Sequence, residues 1–165
     1  MKIGSHFDDP DKTPDLSAYT VHSSEPIGKG KGVAILVAEF NATVTNRLLE
    51  GSLKGLVEHD VDPKNIHIKY VPGAFELPLA ALHAIRDMDI DAVICLGCVI
   101  RGDTAHFDFV AGECARGIMD VSLDTETPVI FGVLTTETPE QAMERAQEDK
   151  TNKGYEAAIT ALQMS

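Results

Sequence analysis

Positive charge, long apolar runs and cysteine are all scarce in this sequence. Its 14 lysine and arginine residues are outnumbered by 26 acidic residues, which gives a formal net charge of −12. A nucleic-acid surface requires clustered basic residues, so we expect no nucleic-acid partner. No apolar stretch approaches the ~20 residues of a membrane span, and the first residues do not resemble the apolar core of a signal peptide. We therefore expect no membrane partner either.

The cysteines and histidines restrict the chemistry further. Three cysteines, an odd number without a secretory signal, predict a reducing, cytoplasmic location. Cys95 and Cys98 form a CxxC pair, but redox pairs of this kind lie at a helix N-terminus, whereas Cys95 falls within an apolar run. Redox or zinc chemistry is therefore the less favoured interpretation. The six histidines show no metal-binding spacing such as HExxH, and we predict no metal.

The chain divides into a short N-terminal segment and one folded domain. A length of 165 residues fits a single domain. Residues 1–32 show no sustained periodicity and carry several aspartates and prolines, which predicts a mostly flexible, acidic segment. Within it, residues 19–22 favour β-structure and could add a strand to an existing sheet edge. The folded domain is predicted over residues 33–165.

Strand and helix patterns alternate from residue 33 onward. Continuous apolar runs are typical of parallel strands covered on both faces, and apolar spacings of three and four indicate helices. We expect Thr43 or Thr45 to cap the first helix, and Thr138 to cap the fourth. The alternation predicts an α/β fold, a three-layer αβα sandwich with a flavodoxin-like four-stranded parallel sheet and helices on both faces. The predicted strands are residues 33–38, 66–71, 93–100 and 129–134, and the predicted helices are residues 43–59, 75–88, 139–147 and 154–164, with one of about five turns from residue 106.

The carboxyl ends of parallel strands share one rim, and ligands bind in the crevice outside it. Aromatic or polar residues occur near each of these ends, namely Phe40, Glu76, residues 98–106 and Phe131. We expect them to converge at one rim. Phe40 could stack on a planar ligand or pack in the core. Glu76 could complement a helix dipole or accept hydrogen bonds from a polyol.

The chain also contains residues suited to proton transfer and to phosphate binding. His106 can exchange protons in both directions near neutral pH. Asp103 and Thr104 precede a helix whose free N–H groups suit a phosphate, although the charge of Asp103 is unfavourable there. Arg145 and Lys153 could pair with glutamates on exposed helix faces, or they could anchor a phosphate.

Five separated motifs resemble those of one known family. They are AEFN at residues 38–41, VPGAFELP at 71–78, LGCVIRGDTAHFD at 96–108, PVIFGVLTTE at 128–137 and NKG at 152–154. In order and spacing the set resembles the 6,7-dimethyl-8-ribityllumazine synthase family over residues 33–164. Five motifs in register are far more specific than any one of them.

The resemblance implies an activity and an assembly. Members of this family condense 5-amino-6-(D-ribitylamino)uracil with 3,4-dihydroxy-2-butanone 4-phosphate and release phosphate and water, in the penultimate step of riboflavin biosynthesis. They use no metal and no other cofactor. The resemblance also implies a homopentamer in which the N-terminal segment adds a strand to a neighbouring subunit's sheet, and a functional link to riboflavin synthase. A non-catalytic flavin- or lumazine-binding relative of the same fold is the alternative.

The resemblance further implies roles for individual residues. His106 would be the proton donor, Phe40 would stack on the pyrimidine, and Phe131 would come from the neighbouring subunit. The ring edge and the ribityl hydroxyls would be held by Ala74, Phe75 and Glu76, and the ring pocket would be lined by Cys98, Val99 and Ile100. The phosphate of the butanone would meet Asp103, Thr104 and Arg145, with Lys153 close by.

Two departures from the family pattern matter. Cys98 stands where the family often has threonine, which weakens any side-chain hydrogen bond at that position. After Arg145, the sequence AQEDKTNKG lacks the glycine-rich linker of capsid-forming members. This puts assembly of the pentamers into an icosahedral capsid in doubt, and it does not affect the expected catalysis.

Overall fold

In the part of the chain that the structure describes, four parallel strands form one sheet. The structure is a computed structural model and describes residues 14–22 and 24–165. The strands are β1 (Val33–Ala38), β2 (Ile66–Val71), β3 (Ala92–Ile100) and β4 (Val129–Thr136), in the order β2-β1-β3-β4. Every residue of β1 is buried. This confirms the expectation that a continuous apolar run forms a strand covered on both faces.

Helices cover both faces of the sheet. The described residues form α1 (Ala42–Glu58), α2 (Leu77–Asp87), α3 (His106–Thr125), α4 (Pro139–Glu144) and α5 (Lys153–Met164). Successive side chains of β1 point to opposite faces, so that one set packs against α1 and α5 and the other against α2 and α3. The predicted three-layer αβα sandwich is therefore confirmed. No helix among the described residues is long and apolar enough to cross a membrane.

The predicted start of α1 is wrong, and the reason bears on the site. Neither Thr43 nor Thr45 caps the helix, which begins at Ala42 directly after Asn41. Asn41 has the left-handed conformation, with φ 60° and ψ 44°, which asparagine tolerates better than most residues. Its side-chain amide makes no cap and instead donates a hydrogen bond to the carbonyl oxygen of Cys98 at 2.8 Å. The turn at Asn41 therefore links the end of β1 to the end of β3.

The fourth helix begins as predicted but ends early. The side chain of Thr138 accepts a hydrogen bond from the backbone N–H of Gln141 at 3.2 Å, which confirms the predicted cap. The helix ends at Glu144 rather than near residue 147. Its end is tightened because Arg145 and Ala146 each donate to the carbonyl three residues before. The strand before it, β4, extends two residues beyond the predicted end at residue 134.

The N-terminal predictions are only partly covered by the structure. Residues 1–13 and 23 lie outside the described residues, and with them most of the predicted flexible, acidic segment. Residues 14–22, which are described, form no strand within the single chain, so the addition of residues 19–22 to a neighbour's sheet stays a prediction. β2 is an edge strand with the exposed side chains of Ile68 and Tyr70. An edge of this kind is where an added strand would pair.

Candidate active site

The ends of β1, β2 and β3 border a cavity of about 610 Å³, which we call the rim cavity. The first turns of α3 complete its wall. Most of the predicted site residues line it: Phe40, Ala74, Phe75, Glu76, Cys98, Val99, Ile100, Thr104 and His106. Asp103 is exposed beside the cavity and is not among its lining residues.

Three hydrogen bonds hold the strand ends around this cavity. Glu39 donates its backbone N–H to the carbonyl oxygen of Val71 at 2.8 Å, and Phe40 donates to that of Pro72 at 3.2 Å. The amide of Asn41 makes the third, to Cys98 at 2.8 Å. The end of β1 is thus joined to the end of β2 by backbone groups and to the end of β3 by the side chain of Asn41, and these bonds fix the cavity wall.

Phe40 is held on the surface of the rim cavity. Its side chain is 73% exposed, because the left-handed turn at Asn41 directs the chain away from the core. Core packing, the alternative that the sequence left open, is thereby excluded. An exposed aromatic face at a cavity mouth is suited to stack on a planar ligand.

The cysteines near the cavity are buried and protonated. Cys95 and Cys98 lie on the same strand but belong to the cores on opposite faces of the sheet, as their spacing of three requires. Burial raises the pKa of the Cys98 thiol to about 11 and also raises the pKa of Cys95. Neither is at a helix N-terminus, so the geometry excludes a redox pair. Within residues 14–22 and 24–165, no group of three or more potential ligands could hold a metal ion.

His106 is the first residue of α3 and is exposed at the border of the rim cavity. Its backbone N–H is 3.4 Å from the hydroxyl oxygen of Thr104, which also lines the cavity. Phe109 and Val110 line the same wall, although the sequence did not single them out for the site. The helical spacing could have identified them, because residues three and four positions after His106 lie on the same face of the helix.

A second cavity, of about 460 Å³, lies beside β4 and contains the remaining predicted residues. We call it the cationic cavity, because Arg145 and Lys153 both line it, together with Phe131. The side chain of Phe131 is 43% exposed there. Glu156 and Thr160, on the following helix, also line the cavity and were not predicted.

The NKG motif explains how Lys153 reaches the cationic cavity. The side-chain oxygen of Asn152 accepts hydrogen bonds from the backbone N–H groups of Gly154 and Tyr155, which caps α5. A side chain at Gly154 would collide with the backbone of Leu48, so glycine allows α5 to pack closely on α1. Lys153 lies between these two fixed residues. Its ammonium is 2.6 Å from a carboxylate oxygen of Glu156.

Arg145 and Lys153 are also linked through the backbone. The N–H of Lys153 donates to the carbonyl oxygen of Arg145 at 2.9 Å. A guanidinium N–H of Arg145 donates to the carbonyl oxygen of Gln141 at 2.8 Å. The turn between α4 and α5 therefore holds the two cationic residues near each other, away from the rim cavity.

The expectation that all the strand-end residues converge at one rim is wrong. Phe131 pairs with Cys95 in the middle of β3, far from the carboxyl ends, and β4 is the edge of the sheet. Arg145 and Lys153 line the cavity beside Phe131 and not the one that contains Thr104 and His106. Within one chain, the two residues predicted to bind the phosphate and the residue predicted to donate the proton are therefore on separate surfaces.

The chain was compared with models of known protein families. The model of the family described as 6,7-dimethyl-8-ribityllumazine synthase matches residues 30–165. The chain belongs to this family. The match covers the whole region over which the five motifs resemble lumazine synthases. Membership gives the protein a role in riboflavin biosynthesis, as a transferase with small-molecule substrates and an oligomeric assembly.

Proposed function

We propose that the protein condenses 5-amino-6-(D-ribitylamino)uracil with 3,4-dihydroxy-2-butanone 4-phosphate to 6,7-dimethyl-8-ribityllumazine, with release of phosphate and water. The observation that supports this most is the composition of the rim cavity. An exposed aromatic ring, a carboxylate and a histidine line one cavity at the carboxyl ends of the strands. A flat pyrimidine with a polyol chain needs the first two groups, and proton transfer needs the third.

The pyrimidine is proposed to stack on Phe40. Val99 and Ile100 are half-buried at the end of β3 and would line the ring pocket, mostly through backbone groups. Glu76 would accept hydrogen bonds from the ribityl hydroxyls, with Ala74 and Phe75 beside it. Cys98, protonated at neutral pH, would contribute its carbonyl and its packing rather than a nucleophile.

His106 is proposed as the proton donor and acceptor. Imine formation, phosphate elimination and ring closure each move a proton. An imidazole can both donate and accept a proton, so one group can serve all of these steps. Its exposure at the cavity border leaves the ring accessible to a substrate.

The phosphate is proposed to bind between two subunits of a homopentamer. Among the described residues that line the rim cavity, none is a lysine or an arginine. A phosphate dianion needs cationic partners, and Arg145 and Lys153 supply them in the cationic cavity. The cationic cavity of one subunit, with Phe131, would therefore complete the rim cavity of the next, where Thr104 and Asp103 meet the phosphate.

The other features that the family resemblance implies are proposed together with this activity. Residues 33–165 would form the catalytic domain, and residues 19–22 would pair with the β2 edge of a neighbouring subunit. We propose a cytoplasmic location, consistent with three unpaired thiols, and a functional link to the riboflavin synthase that would use the product.

The activity is tested by mixing both substrates with the protein and following the fluorescence of the lumazine. Product formed well above the spontaneous rate supports the proposal. A protein that binds the lumazine but accelerates nothing would instead be the non-catalytic relative. Absence of both binding and acceleration would reject both functions.

The shared site is tested by combining two impaired variants at a butanone phosphate concentration below the wild-type KM. Co-assembly of His106→Ala with Arg145→Ala subunits should restore activity, since about a quarter of the interfaces in a random cyclic mixture would contain both intact halves. The matched control combines His106→Ala with Phe40→Ala, which both damage the rim cavity and should restore nothing. If the wild-type protein is active, equal activity in the two mixtures would contradict the shared site, whereas an inactive wild-type protein would reject the reaction itself.

A further inference from the structure

Arg101 occupies the junction between β3 and the loop that leads to His106. Its Nε is 2.9 Å from a carboxylate oxygen of Glu137, which follows β4. Its Nη2 is 3.1 Å from a carboxylate oxygen of Asp108, in the first turn of α3. The guanidinium carbon lies 4.2 Å from the centre of the Phe107 ring. One side chain therefore contacts three residues beyond the loop.

These contacts close a loop that has few other supports. Among the described residues, the hydrogen bonds of residues 102–106 are local: the backbone N–H of His106 donates to the hydroxyl of Thr104, and the carbonyl of Ala105 accepts from the N–H of Asp108. Gly102 and Thr104 nevertheless line the rim cavity. The Arg101 side chain joins the start of this loop to the helix turn at its end and to β4, so it limits how far the loop can move.

The environment of Arg101 is that of a structural cation rather than an anion ligand. Two carboxylates, from Asp108 and Glu137, contact its guanidinium, and a phosphate would have to displace them. The hydrogen bonds that Arg101 donates to these carboxylates, the one to Asp108 foremost, also raise the pKa of Arg101. Phe107, which it stacks on, lines the rim cavity. Arg101 thus contacts the wall of the cavity from outside.

We propose that Arg101 is a positioning residue that holds the 102–106 loop, and with it Thr104 and His106, in the geometry needed by the phosphorylated substrate. This proposal rests on the proposed condensation reaction. A planar fork with two separate donors can bridge two carboxylates and stack on a ring at once, whereas a lysine ammonium cannot. The substitution Arg101→Lys therefore preserves the charge and removes the bridge.

Arg116, on α3, provides a matched control. It also contacts two carboxylates, those of Glu113 and Asp120, each at 2.6 Å. Both partners lie within α3, so Arg116 connects no other element, and it lines neither cavity. Exposed ion pairs of this kind contribute little to stability. Arg116→Lys should therefore leave the kinetics unchanged.

The test measures both substrates in steady-state kinetics. In Arg101→Lys we expect kcat/KM for the butanone phosphate to fall about tenfold, because small misplacement of reacting groups is costly, with KM for the pyrimidine unchanged. Amide hydrogen exchange should increase at residues 102–106 and not elsewhere. If Arg101→Lys behaves like Arg116→Lys, or if KM rises equally for both substrates, Arg101 does not position the loop. A wild-type protein without activity would instead reject the reaction itself.

Glu137→Gln separates positioning from direct phosphate binding. It removes one carboxylate that holds the guanidinium, and its side chain is 61% exposed, so the substitution should not disturb folding. If Arg101 positions the loop, Glu137→Gln lowers kcat/KM for the butanone phosphate in the same direction as Arg101→Lys. If Arg101 binds the phosphate directly, releasing it from Glu137 improves this value, and the proposal is overturned.

Discussion

The rim cavity and the cationic cavity differ in what they contain and in how they are built. The rim cavity is lined by aromatic and apolar side chains with one carboxylate and one histidine, and hydrogen bonds between strand ends, two from the backbone and one from the Asn41 side chain, hold it. The cationic cavity contains an arginine and a lysine, and the turn between α4 and α5 holds it. The first suits a planar ring, and the second suits an anion.

The difference shows that neither surface alone suits a phosphorylated substrate that must react with a planar amine. The rim cavity lies at the ends of β1, β2 and β3, whereas the cationic cavity lies along β4, the edge strand. A symmetric ring of subunits can bring unlike surfaces of neighbouring chains together, because its interfaces are heterologous. The separation within one chain is therefore an argument for assembly.

The largest effect is expected from the proton donor of the rim cavity. His106→Ala should lower kcat by about 10- to 100-fold, the lower part of the range for general acid–base groups, because spontaneous condensation remains available. The KM values should change little. The measurement is steady-state lumazine formation at neutral pH.

His83→Ala is the control, since His83 is exposed on α2 and lines neither cavity. If both histidine variants keep the wild-type kcat, proton transfer does not depend on the rim cavity as proposed. The rim cavity and the cationic cavity would then both be binding surfaces, and neither would supply the proton transfer.

The next effect concerns the cationic cavity. Arg145→Ala should raise KM for the butanone phosphate about tenfold, since a hydrogen bond to a charged group contributes about 1.5–3 kcal/mol, and should leave KM for the pyrimidine unchanged. The backbone carbonyl that receives the N–H of Lys153 remains in this variant, so Lys153 keeps its place. Isothermal titration with inorganic phosphate gives an independent measurement.

Arg86→Ala serves as the control for charge alone, because Arg86 is exposed in the last turn of α2, away from both cavities. Unchanged KM in Arg145→Ala would mean that the phosphate binds elsewhere, and the cationic cavity would lose its proposed role. An equal change in both variants would indicate a general effect of net charge.

The sequence predicted the rim cavity better than the cationic cavity, for physical reasons. Apolar runs and helix spacings are local signals, and they located the strands whose ends carry Phe40 and His106. The order of strands in a parallel sheet is not local, because each crossover can place the next strand on either side. The edge position of β4 therefore could not be read from the sequence. The distance of Phe131 from the strand end could have been, because the predicted strand 129–134 already places Phe131 in its first half. The turn at Asn41 was missed because the two threonines after it are equally good caps by residue type.

The smallest expected effect distinguishes the buried base of the rim cavity from its exposed mouth. Burial raises the pKa of the Cys98 thiol from 9.0 to about 11, so the folded protein keeps a proton that the unfolded chain releases. The stabilisation is complete below pH 9.0 and is lost as the pH rises through this window to about 11. In Cys98→Ala the slope of unfolding free energy against pH should become shallower by up to about one proton in this window, as measured by denaturant unfolding.

Cys114→Ala is the comparison, because burial raises the pKa of Cys114 to about 12 and it lies outside the rim cavity. An unchanged slope in Cys98→Ala would mean that the base of the cavity admits water, and that the pyrimidine would enter a hydrated pocket rather than an apolar one.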